Sequence, residues 1–193
     1  MTIHAEIETP SRAKRLKAVS SAAHERVDNG VMAAAPFASR QAYERFLRFQ
    51  YRLHRRVETL YADAALQPLL PDLAARSRLA ALEQDFADLG LVLPPAEIGP
   101  ALETPEALGW LYVVEGSNMG AAFLAKEAVK LGFSDELGAR HLAGHPDGRG
   151  LHWRRFTAAL DAVELTPAED ARVESAATAA FDHVEKLIGE EFA

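Results

Sequence analysis

The stretch YVVEGSNMGAAFLAKE, residues 112–127, decides how the chain is read. It lies within the longest helix that the pattern predicts, opened by Thr104-Pro105-Glu106 and running to Leu131, with Lys130 in its last turn and Gly132 behind it. Yet Gly116 and Gly120 stand one turn apart in its interior, where each glycine costs roughly 1 kcal/mol relative to alanine. A Gly-x-x-x-Gly pair lets helices touch inside a membrane, but this helix is not a membrane span. Two readings stay open. Another helix could pack closely there, or something flat or bulky could lie against the backbone where any Cβ would collide. Ser117 and Asn118 add polar atoms beside the glycines and loosen the helix by competing for its hydrogen bonds.

Outward from this helix the punctuation stays helical. Thr9-Pro10 opens a first helix that Gly30 closes, and Ser39 opens a second running to about Ala62. The second carries Tyr43, Phe46, Leu47, Leu53, Val57 and Leu60 as its apolar stripe. Asp72 caps a third helix that ends at Gly90, with Leu79, Leu82, Phe86 and Leu89 inward, and LVLPPAEIGPALE (91–103) is a loop. A short helix is expected over Asp135 to Leu142, followed by the turn AGHPDGRG (143–150). Helices from about Leu151 to Val163 and from Pro167 to Leu187 complete the chain. No alternating strand of useful length, repeat or low-complexity segment interrupts the pattern. The expected fold is all-α: a single-domain bundle of six to eight helices over residues 1–193, with residues 1–9 flexible.

The chain has 193 residues, enough for one substantial core, and its 49% hydrophobic and 25% charged content is ordinary for a globular protein. A net charge of −7 argues against nucleic acid as the partner. The absence of cysteine removes disulfides, thiolate metal sites, Fe–S clusters and thiol nucleophiles, and it fits a reducing cytoplasm. MTIHAEIETP lacks the apolar core of a signal peptide, and no apolar run approaches the ~20 residues of a membrane span. A cytoplasmic location is expected.

A ligand slot beside the glycines needs a second wall. The first helix has Leu16, Val19, Ala23 and Val27 as its apolar stripe, which leaves His24 at the edge of the buried face. A lone histidine there is ordinarily a core or boundary residue. Asp28, one turn later, could take the proton on the far ring nitrogen and orient the imidazole as a metal ligand. Lys17 is two turns earlier on the same stripe, roughly 10 Å along the axis, a spacing comparable to that between a haem iron and its propionates. Alone it would read as a solvated charge. Other chemistry is poorly served. There are no paired Glu-x-x-His motifs for a di-iron bundle, no H-E-x-x-H, no P-loop and no G-x-G-x-x-G. His141 and His145 fall among Gly144 and Pro146 and read as incidental loop histidines. YRLHRR (51–56) reads as a solvated helix face with His54 turned inward or sideways.

LKAVSSAAHERVD (16–28), followed by LYVVEGSNMGAAFLAK (111–126), resembles the biliverdin-producing haem oxygenases, nearest to the type with which Gram-negative bacteria extract iron from host haem. The likeness extends over nearly the whole chain, through Trp153-x-x-Phe156 and the terminal helix with Phe181. It implies that haem lies between a proximal helix carrying His24 as axial ligand and a glycine-kinked distal helix. The two glycines would let backbone press the reacting oxygen toward a meso carbon, in a pocket without the charged acid–base pair that drives peroxidase cleavage. The same likeness makes Gln50, His54, Arg78, Asn118 and Trp153 anchors of an ordered water network. Lys17 and Tyr112 would grip the propionates, and a chain that keeps both is expected to release α-biliverdin. Met119 stands where leucine is expected, a small change in shape.

The implied reaction is cleavage of haem b to biliverdin, CO and ferrous iron with O₂ and seven electrons. No flavin or nicotinamide motif is present, so the resemblance implies an external donor, a ferredoxin- or flavodoxin-type protein with its reductase, acting on a monomer. Three other readings remain: a haem carrier or sensor that does not degrade its ligand, a thiaminase-like enzyme lacking the usual cysteine, and a structural bundle in which His24 is merely buried.

Overall fold

The computed structural model describes residues 10–193, and among them it is all-helical with no strand. The chain runs through α1 (Arg12–Ala34), α2 (Arg40–Tyr61), α3 (Leu79–Asp88), α4 (Thr104–Lys130), α5 (Arg149–Ala162) and α6 (Pro167–Phe192). Short 3-10 turns lie at Leu73–Arg76 and Arg140–Leu142. The helix starts follow local chemistry. Ser39 accepts from the Ala42 amide at 3.1 Å. Thr166 and Glu169 form a reciprocal capping box ahead of Pro167. The whole α2 stripe from Tyr43 to Leu60 is buried.

Several boundaries differ from the sequence expectation. Thr9, like the expected flexibility of residues 1–9, lies outside the described residues, and Ser11 caps α1 by accepting from the Lys14 amide at 3.4 Å. α1 also passes through Gly30 and stops only at Ala35, whose φ is +43°. The side chain of Ile188 covers Gly30, with its Cγ2 3.7 Å from where a Cβ would stand, and this packing sustains the extra turn. Asp72 does not cap a third helix. It takes a left-handed conformation (φ +64°) and gives its carboxylate to Arg76, so the helix expected from Asp72 becomes a 3-10 turn, a break, and then α3. The helix expected over 135–142 is a set of tight turns ending in one 3-10 turn.

α6 is the axis of the bundle, packing along both α1 and α4. Its crossing with α4 is where glycine is needed for close approach. A Cβ at Gly109 would run into the Val173 carbonyl and stand 2.8 Å from the Ala176 Cβ. Buried Arg12 fastens the other end of the bundle, donating to Asp170 at 2.7 Å and to the carbonyls of Val163 (2.8 Å) and Leu160. The core so enclosed holds Leu16, Phe46, Leu108, Leu111, Val173 and Ala177. No helix among the described residues is long and apolar enough to cross a membrane.

Candidate functional site

α4 changes character at the glycines. From Ala107 to Glu115 every residue is buried, whereas Ser117, Met119, Gly120, Ala122 and Phe123 are exposed. Phe123 is 52% exposed although it lies in the apolar run AAFLA (121–125). Neither glycine here is required by the protein's own packing. A Cβ at Gly120 would meet nothing within 4 Å, and one at Gly116 would make an ordinary 3.5 Å contact with the Trp153 ring. Neither has a positive φ. The close-packing reading therefore belongs to Gly109. Ser117 donates back to the Val114 carbonyl at 2.7 Å, and Arg149 donates to the Asn118 carbonyl at 3.0 Å, so this turn carries extra bonds to its backbone.

On α1, His24 projects outward with its side chain 60% exposed, its Nδ1 3.2 Å from Asp28 Oδ2. The ring meets the edge of Phe181 on α6 at 5.6 Å between centroids. Lys17 is exposed, two turns away on the same face, with no ion pair among the described residues. Val19, expected in the core stripe, is 49% exposed; Ser20 takes its buried place, with its hydroxyl bonded to the Leu16 carbonyl at 2.7 Å. Tyr112 is buried with its ring 5.6 Å from that of Trp153, and burial, then the charge of Asp161, raises its hydroxyl pKa. Asp161 itself accepts from the Ala13 amide at 2.7 Å, near the start of α1.

Behind α4 is a cleft lined by Arg78, Glu115, Asn118, Met119, Arg149 and Trp153, among others. Arg78 donates to the carbonyls of His141 and Ala143. His141 lies fully inside, with Nδ1 2.7 Å from Asp85, whose carboxylate also accepts the amides of Arg140 and His141. Burial lowers the pKa of His141 despite this partner, so the neutral ring donates from Nδ1 and leaves Nε2 as a bare acceptor. His54 is buried and pushed down to about 3, first by desolvation and then by Arg78 and His141. His54 Nδ1, His141 Nε2 and Arg78 Nε are buried without a protein partner, the circumstance in which proteins hold ordered water. Gln50 is half-buried, and its side chain makes no hydrogen bond to the described residues. Trp153 contributes its ring to packing against Tyr112, Phe156 and the Gly116 position.

The profile of the "Heme oxygenase" family matches residues 11–190. The chain belongs to the haem oxygenase family. It is 40% identical to haem oxygenase PigA of Pseudomonas aeruginosa over 185 residues, covering 94% of this chain and 93% of the relative. It is 30% identical to a haem oxygenase of Xanthomonas campestris over 77% of this chain and 90% of that one. Among solved structures, NO- and CO-bound haem oxygenase from Neisseria meningitidis superposes with a TM-score of 0.91 at 44% identity, covering 95% of this chain and 93% of that one. The protein is thus an oxidoreductase of this family, with haem as its ligand.

Sequence reasoning about this haem oxygenase missed several buried groups. His141 is no incidental loop residue, and Tyr61, Arg76, Asp85 and Glu115 drew no attention, yet all are buried. One signal was available: Glu115 interrupts the apolar run WLYVV in the middle of a helix, an expensive place for an unpaired charge. The buried imidazoles also set an acid limit. His54, at about 3 when folded against 6.5 for an ordinary histidine, takes up its proton mainly in the unfolded chain between those values. Stability should therefore fall as pH drops from about 6.5 toward 3, by no more than ~5 kcal/mol from this group. Denaturation of the haem-free chain between neutral pH and pH ~4 should show this fall, with a shallower slope for His54→Leu. Equal slopes would contradict it.

Proposed function

We propose that the protein cleaves haem b to α-biliverdin, CO and ferrous iron, using O₂ and electrons from an external ferredoxin- or flavodoxin-type donor with its reductase. The observation that carries this is the uncovered glycine surface of α4: Gly120 with open space where a Cβ would be, beside exposed Phe123 and Met119. An apolar, backbone-lined wall of that kind fits a flat tetrapyrrole, and exposed His24 fits its iron. Bound haem supplies both the iron that activates O₂ and the meso carbon that leaves as CO.

The chain's own groups would do the rest. His24 would ligate the iron through Nε2 while Asp28, on Nδ1, fixes its tautomer and raises its basicity. Phe181 would hold the imidazole ring in plane by its edge contact. The Gly116–Gly120 backbone, with Ser117 and Asn118, would confine oxygen sterically toward the ring edge. His54 and His141 remain neutral, and the carboxyl of Glu115, its pKa raised by burial, has both oxygens engaged by Tyr61 and Arg76, so no free acid is offered to drive peroxidase-like cleavage. The orphaned atoms of His54, Arg78 and His141 would anchor water that brings protons, with Gln50 and Trp153 at the border of that space. Lys17 and Tyr112 would bind the propionates and so select the α-meso position for attack. The reading includes a monomer working in the cytoplasm.

Chromatography of the product of one turnover tests the orientation. Wild type should yield the α isomer, and Lys17→Ala should yield a mixture. A β or δ product from wild type would overturn the propionate assignment.

A further inference from the structure

The carboxylate next to the glycines is enclosed more tightly than packing requires. Glu115 immediately precedes Gly116, and its Oε1 accepts from the Tyr61 hydroxyl at 2.8 Å while its Oε2 lies 3.0 Å from Arg76 Nη1. Both side chains of this pair are 2% exposed. The guanidinium also binds Asp72 at 2.7 and 3.2 Å and the His152 carbonyl at 3.2 Å, and it lies 5.4 Å over the Phe156 ring. One cation thus ties α4 to the turn before α3 and to α5. On α5 the next residue, Trp153, packs over the Gly116 position.

Burying two charges costs far more than burying an apolar pair of the same volume, so the charges are not explained by cohesion. Charge-assisted bonds are directional, and they fix the rotation and axial height of a helix where apolar contacts would let it slide. The glycines of the Gly116–Gly120 segment have no side chains by which to be held; Arg149 holds its middle at the Asn118 carbonyl, and the neighbouring glutamate anchors its start.

We propose that Arg76 and Glu115 are positioning residues of the reaction: their buried pair fixes the Gly116–Gly120 backbone over the haem, in a cleft that Arg78 and Arg149 also line. The inference rests on the haem reading of that segment. Glu115→Gln leaves the guanidinium and lowers the midpoint for ionisation of water on the ferric iron, by roughly half a pH unit for a charge in a medium between protein and water. Arg76→Met removes the cation that opposes the effect of burial on Glu115, whose pKa burial already raises, so the carboxyl takes up a proton and the midpoint stays near that of wild type. Loosening of the helix alone would move both variants in the same direction.

The test uses ferric haem complexes of wild type, both single variants and the Arg76→Met/Glu115→Gln double variant, titrated through the alkaline range by absorption. A lowered midpoint in Glu115→Gln, with midpoints near wild type in Arg76→Met and in the double variant, is expected. In the haem-free full chain, amide exchange over residues 114–121 should quicken about tenfold in each single variant, a change independent of haem. Shifts of the same sign in both singles, or no shift in Glu115→Gln, in variants that keep the axial-histidine spectrum would overturn the proposal. If Arg76→Met fails to fold, Glu115→Gln decides alone, and an unchanged midpoint there overturns it. A wild-type chain that forms no haem complex would instead remove the haem reading, and this inference with it.

Discussion

Replacing His24 with alanine should leave the fold intact and remove the axial ligand. The side chain is exposed and its contact with Asp28 lies at the surface, so the expected stability change is within about 0.5 kcal/mol. The haem complex of the variant should lose the absorption and resonance Raman signature of a histidine-ligated iron. Turnover should fall by on the order of 100-fold or more, because loss of a ligand's outer partner alone typically costs 10–100-fold. Added imidazole should restore part of the spectrum. Asp28→Asn should keep the histidine signature with a weakened iron–nitrogen bond. An unchanged spectrum in His24→Ala would take the ligand role from this residue.

The second large effect lies at Gly120, where stability and activity should move in opposite directions. A methyl group there meets no protein atom, and the residue sits within α4 without a positive φ. Gly120→Ala should therefore stabilise the haem-free chain by up to ~1 kcal/mol, raising Tm by about 2–4 °C for a chain of this size. The same methyl would project into the space assigned to the ring and its oxygen, so turnover should drop. Gly120→Phe, folded equally well, should abolish it. Full activity in Gly120→Phe would refute the distal wall. Gly109→Ala serves as the contrast, since its added methyl collides with α6 and should destabilise by about 1–3 kcal/mol.

The contrast between these glycines shows where local sequence stops informing. Three glycines in α4 look alike in sequence, and only the position of α6 reveals that Gly109 serves packing while Gly116 and Gly120 do not. Helix starts with a complete local device were legible: Ser39 with its apolar stripe, and Thr166-Pro167 with Glu169. Gly30 misled because a side chain 158 residues away sustains the helix through it. Asp72 misled because Arg76 captures the carboxylate that would otherwise cap. The site divides in the same way. His24, Asp28 and Lys17 share one helix face and could be found by spacing, whereas Asp85–His141 and Arg76–Glu115 join segments 56 and 39 residues apart. Val19 was expected in the core, and its exposure follows from the buried face of α1 running through Leu16, Ser20 and Ala23 instead.

The most direct test of the account is a single turnover followed by absorption. The purified protein is mixed with one equivalent of hemin, then given O₂ and either ascorbate or ferredoxin with its reductase, with catalase present to remove free peroxide. A Soret band should form on mixing and then give way to the broad red absorption of biliverdin. A Soret band that forms, binds O₂ after reduction and persists would contradict the account and leave a protein that holds haem without breaking it.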